Sequence, residues 1–516
     1  MKQKRWCILL ALTLGLTGCG GGQTAASEPD PAPPAVSDGT EAPEETGAEP
    51  LRLLHLLQSS DGLQEWSEDA PVCTADWDSL RLSAGDEADF PALAAAFDRI
   101  NADTRAGMQT FFDENLPDAQ EMAAEHRDWF SGFTSACTYA VQRADAQLVS
   151  IRVDTSEHTG GAHPNYGSFG LNLDPATGEE VGLTDVMTDL TGLPALLAEK
   201  IEAGCEVEPF GDVAEMLSGY APEQYAWTVD YQGITFYFSP YELAPYAAGL
   251  LTATVRFDEA PARFAPACTV QPAYGFAEPL WLWRENALDG GSLLIQPSRS
   301  DESDAYDGFE LIWNGQTYAE KDWYTYELTP YWVRLTADGG QSFLYMETLS
   351  DNDYRTLSVY ALTGEGVKPV GVLPGTGFHS ALMGETGWQE VFNDPARFTL
   401  DTRIDLLGTM TGTRVCRTQP GDGLPRAETD SYALPADFPP LVTKRALEVT
   451  RLPDGKETRL PAGTQLSFLR TDGESYVELR TADGQDCRLD VARGDTEWTV
   501  NGVSEWDCFE ELRYAG

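Results

Sequence analysis

Apolar residues recur at helical spacing in three stretches of the first half of the chain. The first begins at Asp89-Phe90-Pro91, where proline is tolerated because the amide groups of a first helical turn lack partners in any case. Its apolar face consists of Phe90, Leu93, Phe97 and Ile100. The same spacing predicts helices over Asp118–Phe133 and Leu193–Ala203. Each of these helices is expected to face the core.

Between and after these helices the apolar period changes to two, which predicts strands. Tyr139–Arg143 and Leu148–Asp154 are predicted to form a hairpin, and Phe169, Leu171 and Leu173 continue the sheet. Later strands are predicted at Ala226–Asp230, Ile234–Phe238 and Thr252–Phe257. Residues 51–260 therefore read as an α+β domain, an antiparallel sheet with helices.

Beyond Ala260 helical periodicity nearly vanishes and tight-turn dipeptides multiply. These are Asn314-Gly315, Asp338-Gly339, Asp454-Gly455, Asp472-Gly473, Asp483-Gly484 and Asn501-Gly502. Such dipeptides supply the positive φ angles of hairpin turns, so the second half is predicted to be all-β. A boundary near Pro439 separates an aromatic-rich β domain, residues 270–438, from a small barrel-like domain, residues 440–516.

The N-terminus has the order of a bacterial lipoprotein signal. Basic residues precede the apolar stretch Trp6–Leu16, and the segment ends in Leu16-Thr17-Gly18-Cys19. We expect residues 1–18 to be a signal peptide and Cys19 to carry the lipid. Residues 20–50 contain six prolines, seven acids and no Lys or Arg, so residues 19–50 are predicted to be an extended acidic tether. The predicted location is the extracytoplasmic face of the cell membrane.

The charge of the chain limits the classes of molecule that it can bind. Its 516 residues include 34 Lys and Arg against 83 Asp and Glu, a formal charge of −49. This balance excludes nucleic-acid binding through phosphate contacts, and a charged partner should be cationic. The same charge also suits the solubility of an exported protein. No later stretch has the roughly 18 uninterrupted apolar residues of a membrane span, so the lipid would be the only anchor.

Seven cysteines remain once Cys7 is removed with the signal and Cys19 is acylated. Export permits disulfides, and an odd number leaves at least one free thiol. The pairs predicted are Cys73 with Cys137 and Cys487 with Cys508. The spacing of the seven suggests neither a zinc site nor a redox pair.

One loop concentrates candidate chemistry. Asp154–Asn165 holds His158, His163, two acids and the pair Gly160-Gly161. Imidazoles and carboxylates suit a metal or ligand site, and the glycines let the backbone approach a ligand. The spacing lacks the helical histidine pair of a zinc hydrolase, so a turn or binding loop is favoured over a metal site. No cofactor is expected, and no catalytic motif was found.

Aromatic residues concentrate in the second half, and Asp301, Asp304 and Asp307 loosely resemble a calcium loop. The aromatic block could stack on sugar rings, although such residues on strands usually form a β core. Its members are Trp281, Trp283, Trp313, Trp323, Tyr324, Tyr326, Tyr331 and Trp332.

Three sequence blocks, in order, carry a family resemblance. They are Gly160–Asn165, then Leu173–Glu180 with Leu183–Val186, and finally Phe236–Gly249. Together they resemble an extracellular domain of unknown function over roughly residues 75–258. That domain is shared by the lysozyme-binding anti-sigma factor of the sigma-V system and a peptidoglycan deacetylase.

What the resemblance implies is an envelope-facing binding module. The chain starts directly with a secretion signal, so sigma-factor control is not supported, and the deacetylase activity belongs to a separate catalytic domain. We therefore expect a non-catalytic module that binds a lysozyme-like protein or cell-wall glycan. A peptidoglycan- or polysaccharide-acting hydrolase or deacetylase and a structural spacer lipoprotein are the alternatives. The candidate ligand-binding residues are Gly160, Gly161, His163, Asn165, Tyr241, Glu242 and Tyr246.

Overall fold

The computed structural model describes residues 51–67, 70–126, 128–205, 207–300, 303–379, 387–494 and 497–515. The predicted signal peptide, the lipidated Cys19 and the acidic tether lie outside these residues, as does Asp301 of the loosely predicted calcium loop. The structure is β-rich, with 49% strand and 19% helix, and its strands form several sheets. No helix among the described residues is long and apolar enough to cross a membrane.

The helices lie mainly in the first half of the chain. They are α1 (Ala84–Asp89), α2 (Pro91–Glu125), α3 (Leu183–Val186), α4 (Leu193–Gly204), α5 (Val213–Leu217) and α6 (Glu505–Cys508).

Helices α1 to α5 all lie before the sixth strand, and the first seventeen strands cover the chain up to Pro374. They are β1 (Leu56–Ser67), β2 (Ala70–Leu82), β3 (Phe133–Ala144), β4 (Val149–His158), β5 (Asn165–Leu173), β6 (Ala226–Val229), β7 (Gly233–Phe238), β8 (Leu251–Arg256), β9 (Gly275–Pro279), β10 (Glu285–Leu288), β11 (Gly291–Arg299), β12 (Tyr306–Trp313), β13 (Gln316–Thr325), β14 (Glu327–Leu335), β15 (Gln341–Ser350), β16 (Tyr354–Thr363) and β17 (Gly366–Pro374).

The remaining strands are shorter on average and follow one another closely. They are β18 (Thr376–Phe378), β19 (Gln389–Glu390), β20 (Phe398–Asp405), β21 (Thr409–Thr418), β22 (Pro425–Ala427), β23 (Tyr432–Ala433), β24 (Leu441–Thr443), β25 (Leu447–Arg451), β26 (Glu457–Leu460), β27 (Gln465–Thr471), β28 (Tyr476–Thr481), β29 (Asp486–Arg493), β30 (Trp498–Val500), β31 (Val503–Ser504) and β32 (Phe509–Glu510).

The first sheet has the strand order β19-β1-β2-β3-β4-β5. Its neighbours are antiparallel except β2 and β3, which run parallel, so the prediction of a purely antiparallel sheet is wrong at this pair. A parallel pair requires a long crossover, and α2 supplies it. The apolar face of α2, including Leu93, Phe97 and Phe111, packs on Trp77 and Val141 of the sheet.

The structure differs from the predicted pair of helices at their junction and at the C-terminal end of the second. The structure has one helix over Pro91–Glu125 that continues through Pro117, instead of two. The second predicted helix was expected to reach Phe133, but the helix ends before His126, and Phe133 is the first residue of β3. Phe133 is buried and paired with Cys73 on β2, so tertiary pairing overrides the helical spacing there.

A three-stranded sheet, β6-β7-β8, packs against α4 and α5 in a second core. Leu197 and Ile201 of α4 and Val213 of α5 are buried in this core with Phe236 and Val255. The predicted helix and the three predicted strands of this region are confirmed to within two residues.

The second half forms three further sheets. Two have the orders β10-β11-β12-β13 and β17-β16-β15-β14-β9, and the third is a 14-stranded sheet made of β18 and β20 to β32. Asn314-Gly315 and Asn501-Gly502 connect hairpin strands with positive φ at both residues, as predicted for such turns. In the 14-stranded sheet β23 pairs with β27, so hydrogen bonding crosses the predicted boundary near Pro439. Residues 50–516 group as one compact unit, and the domain boundaries stay predictions.

The start of the described chain is bound to its second half. Strand β1 pairs with β19, Val391 donates its amide hydrogen to the carbonyl of Leu56 at 2.9 Å, and Asn393 donates from its side chain to the carbonyl of Leu54 at 2.8 Å. Leu53 is buried in a core with Trp332 of β14.

The two predicted disulfides are absent, and the seven described cysteines are free thiols. Cys73 pairs across the sheet with Phe133, whereas Cys137 pairs with Trp77. This offset of four residues separates the two cysteines by about 13 Å along the strands. A disulfide needs Cα atoms about 4.4–6.8 Å apart, so the pair cannot close. Cys487 on β29 lies opposite Leu479, and Cys508 ends α6; both are buried thiols.

A cluster of histidine and tyrosine rings

The candidate loop closes the hairpin of β4 and β5. The last pair of this hairpin joins Glu157 to Asn165, and Gly160 and Gly161 turn the chain with φ angles of +87° and +113°. Only glycine adopts such angles without strain, which explains the glycine pair. The turn directs the partly buried ring of His163 toward the segment after β7.

The segment after β7 is a tight turn held by Glu242. One carboxylate oxygen of Glu242 accepts a hydrogen bond from the amide of Ser239 at 2.9 Å, and the other accepts from the hydroxyl of Tyr220 at 3.1 Å. Burial raises the pKa of Glu242, and these two donors act against the rise. The structure therefore places Glu242 as a support of the turn, with its carboxylate directed at the chain itself.

Tyr241 sits in the same turn with a left-handed backbone. Its φ is +70°. This conformation costs a non-glycine residue about 1–3 kcal/mol, and it persists only where the surrounding structure imposes it. Its side chain is 56% exposed, so burial of the ring does not compensate this strain. Such strain clusters at functional sites, where the fold fixes one side chain in a special orientation.

The loop and the turn meet in a cluster of rings. We call His163, Tyr166, Tyr241 and Tyr246 the aromatic cluster. The rings of His163 and Tyr246 stack with centroids 3.6 Å apart and an angle of 19° between their planes. Tyr241 and Tyr166 flank Tyr246 at 5.7 and 5.6 Å.

Polar contacts fix the orientation of these rings. Nδ1 of His163 lies 3.2 Å from the carbonyl oxygen of Pro164, and Nε2 lies 3.2 Å from the hydroxyl of Tyr241. In the neutral ring Nδ1–H donates to the carbonyl, so Nε2 accepts from Tyr241. The hydroxyl of Tyr246 donates to the same carbonyl of Pro164 at 2.9 Å. The cluster is thus held rigid before any ligand arrives.

Two further side chains, Trp281 and Arg284, extend the cluster from the second half of the chain. Gly249 separates Tyr166 from Arg284: a Cβ atom there would lie 3.3 Å from the hydroxyl of Tyr166 and 3.7 Å from Nη2 of Arg284. The guanidinium carbon of Arg284 lies 5.5 Å from the ring centre of Trp281, and that of Arg152 lies 3.4 Å from it. The ring of Trp281 therefore contacts two guanidinium groups, those of Arg284 and of the buried Arg152.

The structure brings some of the predicted site residues together and not others. His163, Tyr241 and Tyr246 are in contact. Gly160 and Gly161 are exposed loop positions, and Asn165 is the exposed first residue of β5. The second block of the resemblance, around Asp174-Pro175, follows the far end of β5, about 25 Å along the strand from Asn165. Tyr166 directly follows the block Gly160–Asn165 but is not among the predicted ligand-binding residues. Trp281 was named only as a member of the aromatic block, and Arg284 has no local sequence signal.

The aromatic block divides between core and surface. Trp313 and Trp332 are buried, as expected of strand residues in a β core. Trp283 is 51% exposed, and Tyr324 and Tyr326 form an exposed pair with ring centroids 5.4 Å apart. Among the described residues no group of three or more His, Cys, Asp or Glu side chains is placed to hold a metal ion.

A small polar cavity of about 100 Å³ lies elsewhere, between β14, β15 and β19. Glu347, whose pKa is raised by burial, lines it with Arg355, whose Nη1 lies 3.2 Å from its carboxylate. Ligand pockets usually enclose about 300–1,000 Å³, so this cavity is too small for a sugar ring and its substituents.

A family model matches part of the chain. Residues 190–258 match the family model described as "Protein of unknown function (DUF3298)". A DUF3298 domain is present. It contains Tyr241, Glu242 and Tyr246, whereas His163, Tyr166 and Arg284 lie outside the matched residues. The aromatic cluster is therefore formed by the DUF3298 domain together with the hairpin of β4 and β5.

Two solved structures of DUF3298 family proteins are similar to part of the chain. The protein from Bacteroides fragilis is 20% identical, with 43% of this chain and 98% of that chain covered and a TM-score of 0.32. The protein from Pseudomonas aeruginosa is 15% identical, with 42% and 96% covered and a TM-score of 0.28. The comparison with curated proteins found no match.

Proposed function

We propose that the protein is a non-catalytic envelope-binding module that holds cell-wall glycan at the aromatic cluster. The observation that carries this proposal is the exposed ring of Tyr241, strained in its backbone, beside the stacked rings of His163 and Tyr246. Aromatic faces offer a large apolar surface with a polar edge, which suits the C–H faces and hydroxyl groups of a sugar.

The preorganised rings favour binding over catalysis. The polar atoms of His163 and Tyr246 are already engaged with the carbonyl of Pro164 or with Tyr241. The carboxylate of Glu242 is engaged with Ser239 and Tyr220. A rigid site loses little conformational entropy when a ligand arrives, which favours affinity.

A cationic lysozyme-like protein is the second candidate partner. A formal charge of −49 attracts such a protein and speeds its encounter. Tyrosine is enriched at the centres of protein interfaces, so the aromatic cluster suits this partner as well.

The surrounding architecture is part of the proposal. We propose a lipid on Cys19 that anchors the chain at the extracytoplasmic face of the membrane, an α+β domain over residues 51–260, and all-β domains after it. The helices α1 to α5 all precede residue 218, which supports this division. Metabolic labelling with an alkyne fatty acid tests the anchor, because Cys19→Ala should abolish the label.

Binding of the full chain to purified peptidoglycan and to lysozyme, across a salt series, tests the function. Saturable glycan binding that persists at about 0.15 M salt, where charges are screened beyond about 8 Å, is the expected result. Tyr241→Ala with Tyr246→Ala should weaken it about tenfold, equivalent to about 1.4 kcal/mol. The matched control is the exposed pair Tyr324→Ala with Tyr326→Ala, which should change nothing.

The other outcomes identify the alternatives. Binding of lysozyme alone, lost in the cluster variant, would assign the site to a cationic protein. Release of soluble fragments from peptidoglycan would contradict a non-catalytic role. Binding to neither material would contradict the proposal.

A further inference from the structure

Arg284 is a cation held rigidly at the edge of the aromatic cluster. Its Nη1 donates to the carbonyl oxygen of Leu250 at 2.7 Å, and its guanidinium lies near the ring of Trp281. A guanidinium has five N–H donors in a planar fork, so the bond to Leu250 leaves donors on the Nη2 side. Trp283, the preceding residue, is half-exposed with a φ of +57°, a second strained position beside the cluster.

The charge of Arg284 is not balanced by a neighbour of its own. Within the part of the chain that the structure describes, no carboxylate lies within 4.0 Å of it, whereas Arg152 on the other side of Trp281 pairs with Asp154 at 2.9 Å. Burial lowers the pKa of Arg284 and the charge of Arg152 adds to this, whereas Tyr166 and the charge of Asp154 act against it. A partly buried cation without a directly paired carboxylate is costly. It is conspicuous in a chain where acids outnumber bases 83 to 34.

Gly249 adjoins both this cation and Tyr166. Its φ of +69° favours glycine, and a Cβ atom there would lie 3.3 Å from the hydroxyl of Tyr166 and 3.7 Å from Nη2 of Arg284. The two donors therefore face the same position on the backbone. The ring of Tyr166 in turn meets Tyr246 edge to face, at 80°, so this position adjoins the surface proposed to hold a sugar.

We propose that Arg284 and Tyr166 form an anion subsite, so that the aromatic cluster takes a sugar bearing a carboxylate or a phosphate group. This inference rests on the proposed glycan-binding function and adds the chemical class of the ligand. The sugar ring packs on Tyr246 and Tyr241 while its acidic substituent accepts hydrogen bonds from Nη2 of Arg284 and the hydroxyl of Tyr166. Charge-assisted hydrogen bonds of this kind are about twice as strong as neutral ones.

Three disaccharide probes test the subsite on the full chain. N,N′-Diacetylchitobiose, called chitobiose below, is neutral, N-acetylglucosaminyl-N-acetylmuramic acid adds a lactyl carboxylate, and chitobiose 6-phosphate adds a phosphate. We expect at least one acidic probe to bind about tenfold more tightly than chitobiose at low salt, a ratio that corresponds to about 1.4 kcal/mol. The acidic probe with the higher affinity shows whether the anion is a carboxylate or a phosphate.

The variants separate this inference from the function beneath it. Arg284→Gln should reduce the ratio to about one through a selective loss of affinity for the acidic probe, and Arg284→Lys should retain part of the ratio. Arg417→Gln is the matched control, because Arg417 also lies over a ring, 4.0 Å from that of Tyr274. Equal affinity for the three probes in the unaltered chain would overturn the subsite alone. No binding of any probe would overturn the glycan proposal as well.

A structural role for Arg284 would give a different result. If Arg284 served only to hold Leu250, Arg284→Gln would weaken all three probes together and lower the melting temperature. That outcome overturns the subsite. Tyr166→Phe, which keeps the ring and removes the hydroxyl, should lower the ratio without changing the melting temperature.

Discussion

The imidazole of His163 stacks on the phenol ring of Tyr246, with the ring centroids 3.6 Å apart. The hydroxyl of Tyr246 also donates to the carbonyl of Pro164, although these two residues lie 82 positions apart in the sequence. This contact joins the glycine loop to the turn after β7. His163→Ala should therefore increase amide hydrogen exchange over residues 159–166, because the loop loses its stacking partner. His158→Ala, on the same loop but paired in the strand opposite Thr134, is the control and should leave that exchange unchanged.

Gly170 marks the closest approach of β5 to β6. A Cβ atom there would lie 1.5 Å from the carbonyl oxygen of Trp227, so Gly170→Ala must displace one strand. We expect a loss of more than about 3 kcal/mol in the free energy of unfolding, measured by urea denaturation. Gly107→Ala in α2 is the control, because nothing lies within 4 Å of its Cβ position. It should stabilise the protein by about 0.5–1 kcal/mol, and similar losses in both variants would contradict the packing at Gly170.

His55 makes stability depend on pH near neutrality. Its Nε2 lies 3.6 Å from Asp394 and its Nδ1 lies 3.3 Å from Asp86, and Asp394 contributes most to raising its pKa. The stabilisation is fully present below the unfolded histidine pKa of about 6.5 and is lost as pH rises through the folded value. The melting temperature should fall over this range.

Two variants check this pH effect. His55→Gln should flatten the fall in melting temperature with rising pH, and His379→Gln should flatten it further, because Asp401 raises the pKa of His379 from 2.8 Å. His126→Gln is the control, since the side chain of His126 is 43% exposed and its Nε2 lies 4.0 Å from Glu125. An unchanged slope in His55→Gln would contradict the assigned ion pairs.

Glu478 gives the opposite pH dependence in the C-terminal strands. Burial acts to raise its pKa, but hydrogen bonds from Arg488, at 2.6 Å, and from Arg470 outweigh burial and lower it. Its stabilisation is present above the unfolded pKa and is lost as pH falls through the folded value. Glu478→Gln should cost about 1–3 kcal/mol near neutral pH, and this difference should shrink in acid.

The matched control for this pair is Glu448→Gln. Glu448 is 65% exposed and lies 3.5 Å from Arg459, and exposed pairs contribute about 0–1 kcal/mol. Chemical denaturation at neutral and acidic pH measures both variants. An equal effect of the two substitutions would show that burial of Glu478 adds nothing.

The register of β2 and β3 predicts free thiols at Cys73 and Cys137. Burial raises the pKa of Cys137 to about 12, so its thiol should react slowly in the folded protein. Alkylation in denaturant without a reductant should label both cysteines, and peptide mass spectrometry detects the labels. A peptide pair linked through Cys73 and Cys137 would contradict the register.

Local patterns predicted several of the elements but not their arrangement. Helix α4 and strands β6 to β8 were predictable because their apolar periods are regular over a single element. The parallel pairing of β2 with β3 was not, since it depends on α2 crossing between them. The continuity of α2 through Pro117 was missed because the apolar spacing is clear only in its first turns and beyond Pro117.

The candidate site divides in the same way. His163, Tyr241 and Tyr246 were found because each lies in a distinctive local block, and the structure brings these blocks together. Glu242 was placed among the ligand-binding residues, but its carboxylate holds the turn. Arg284 had no local signal, because its significance comes from Gly249 and Tyr166, which approach it only in the folded chain.

The pairing of β1 with β19 has a consequence for the order of folding during synthesis. The side-chain amide of Asn393 donates to the carbonyl of Leu54, 339 positions earlier in the sequence. Residues 389–390 pair with the outer edge of β1. The N-terminus of a chain is synthesised first, so the outer edge of β1 has no partner until most of the polypeptide has been made. Until then that edge presents unpaired backbone groups, the kind of strand edge that can pair with another chain.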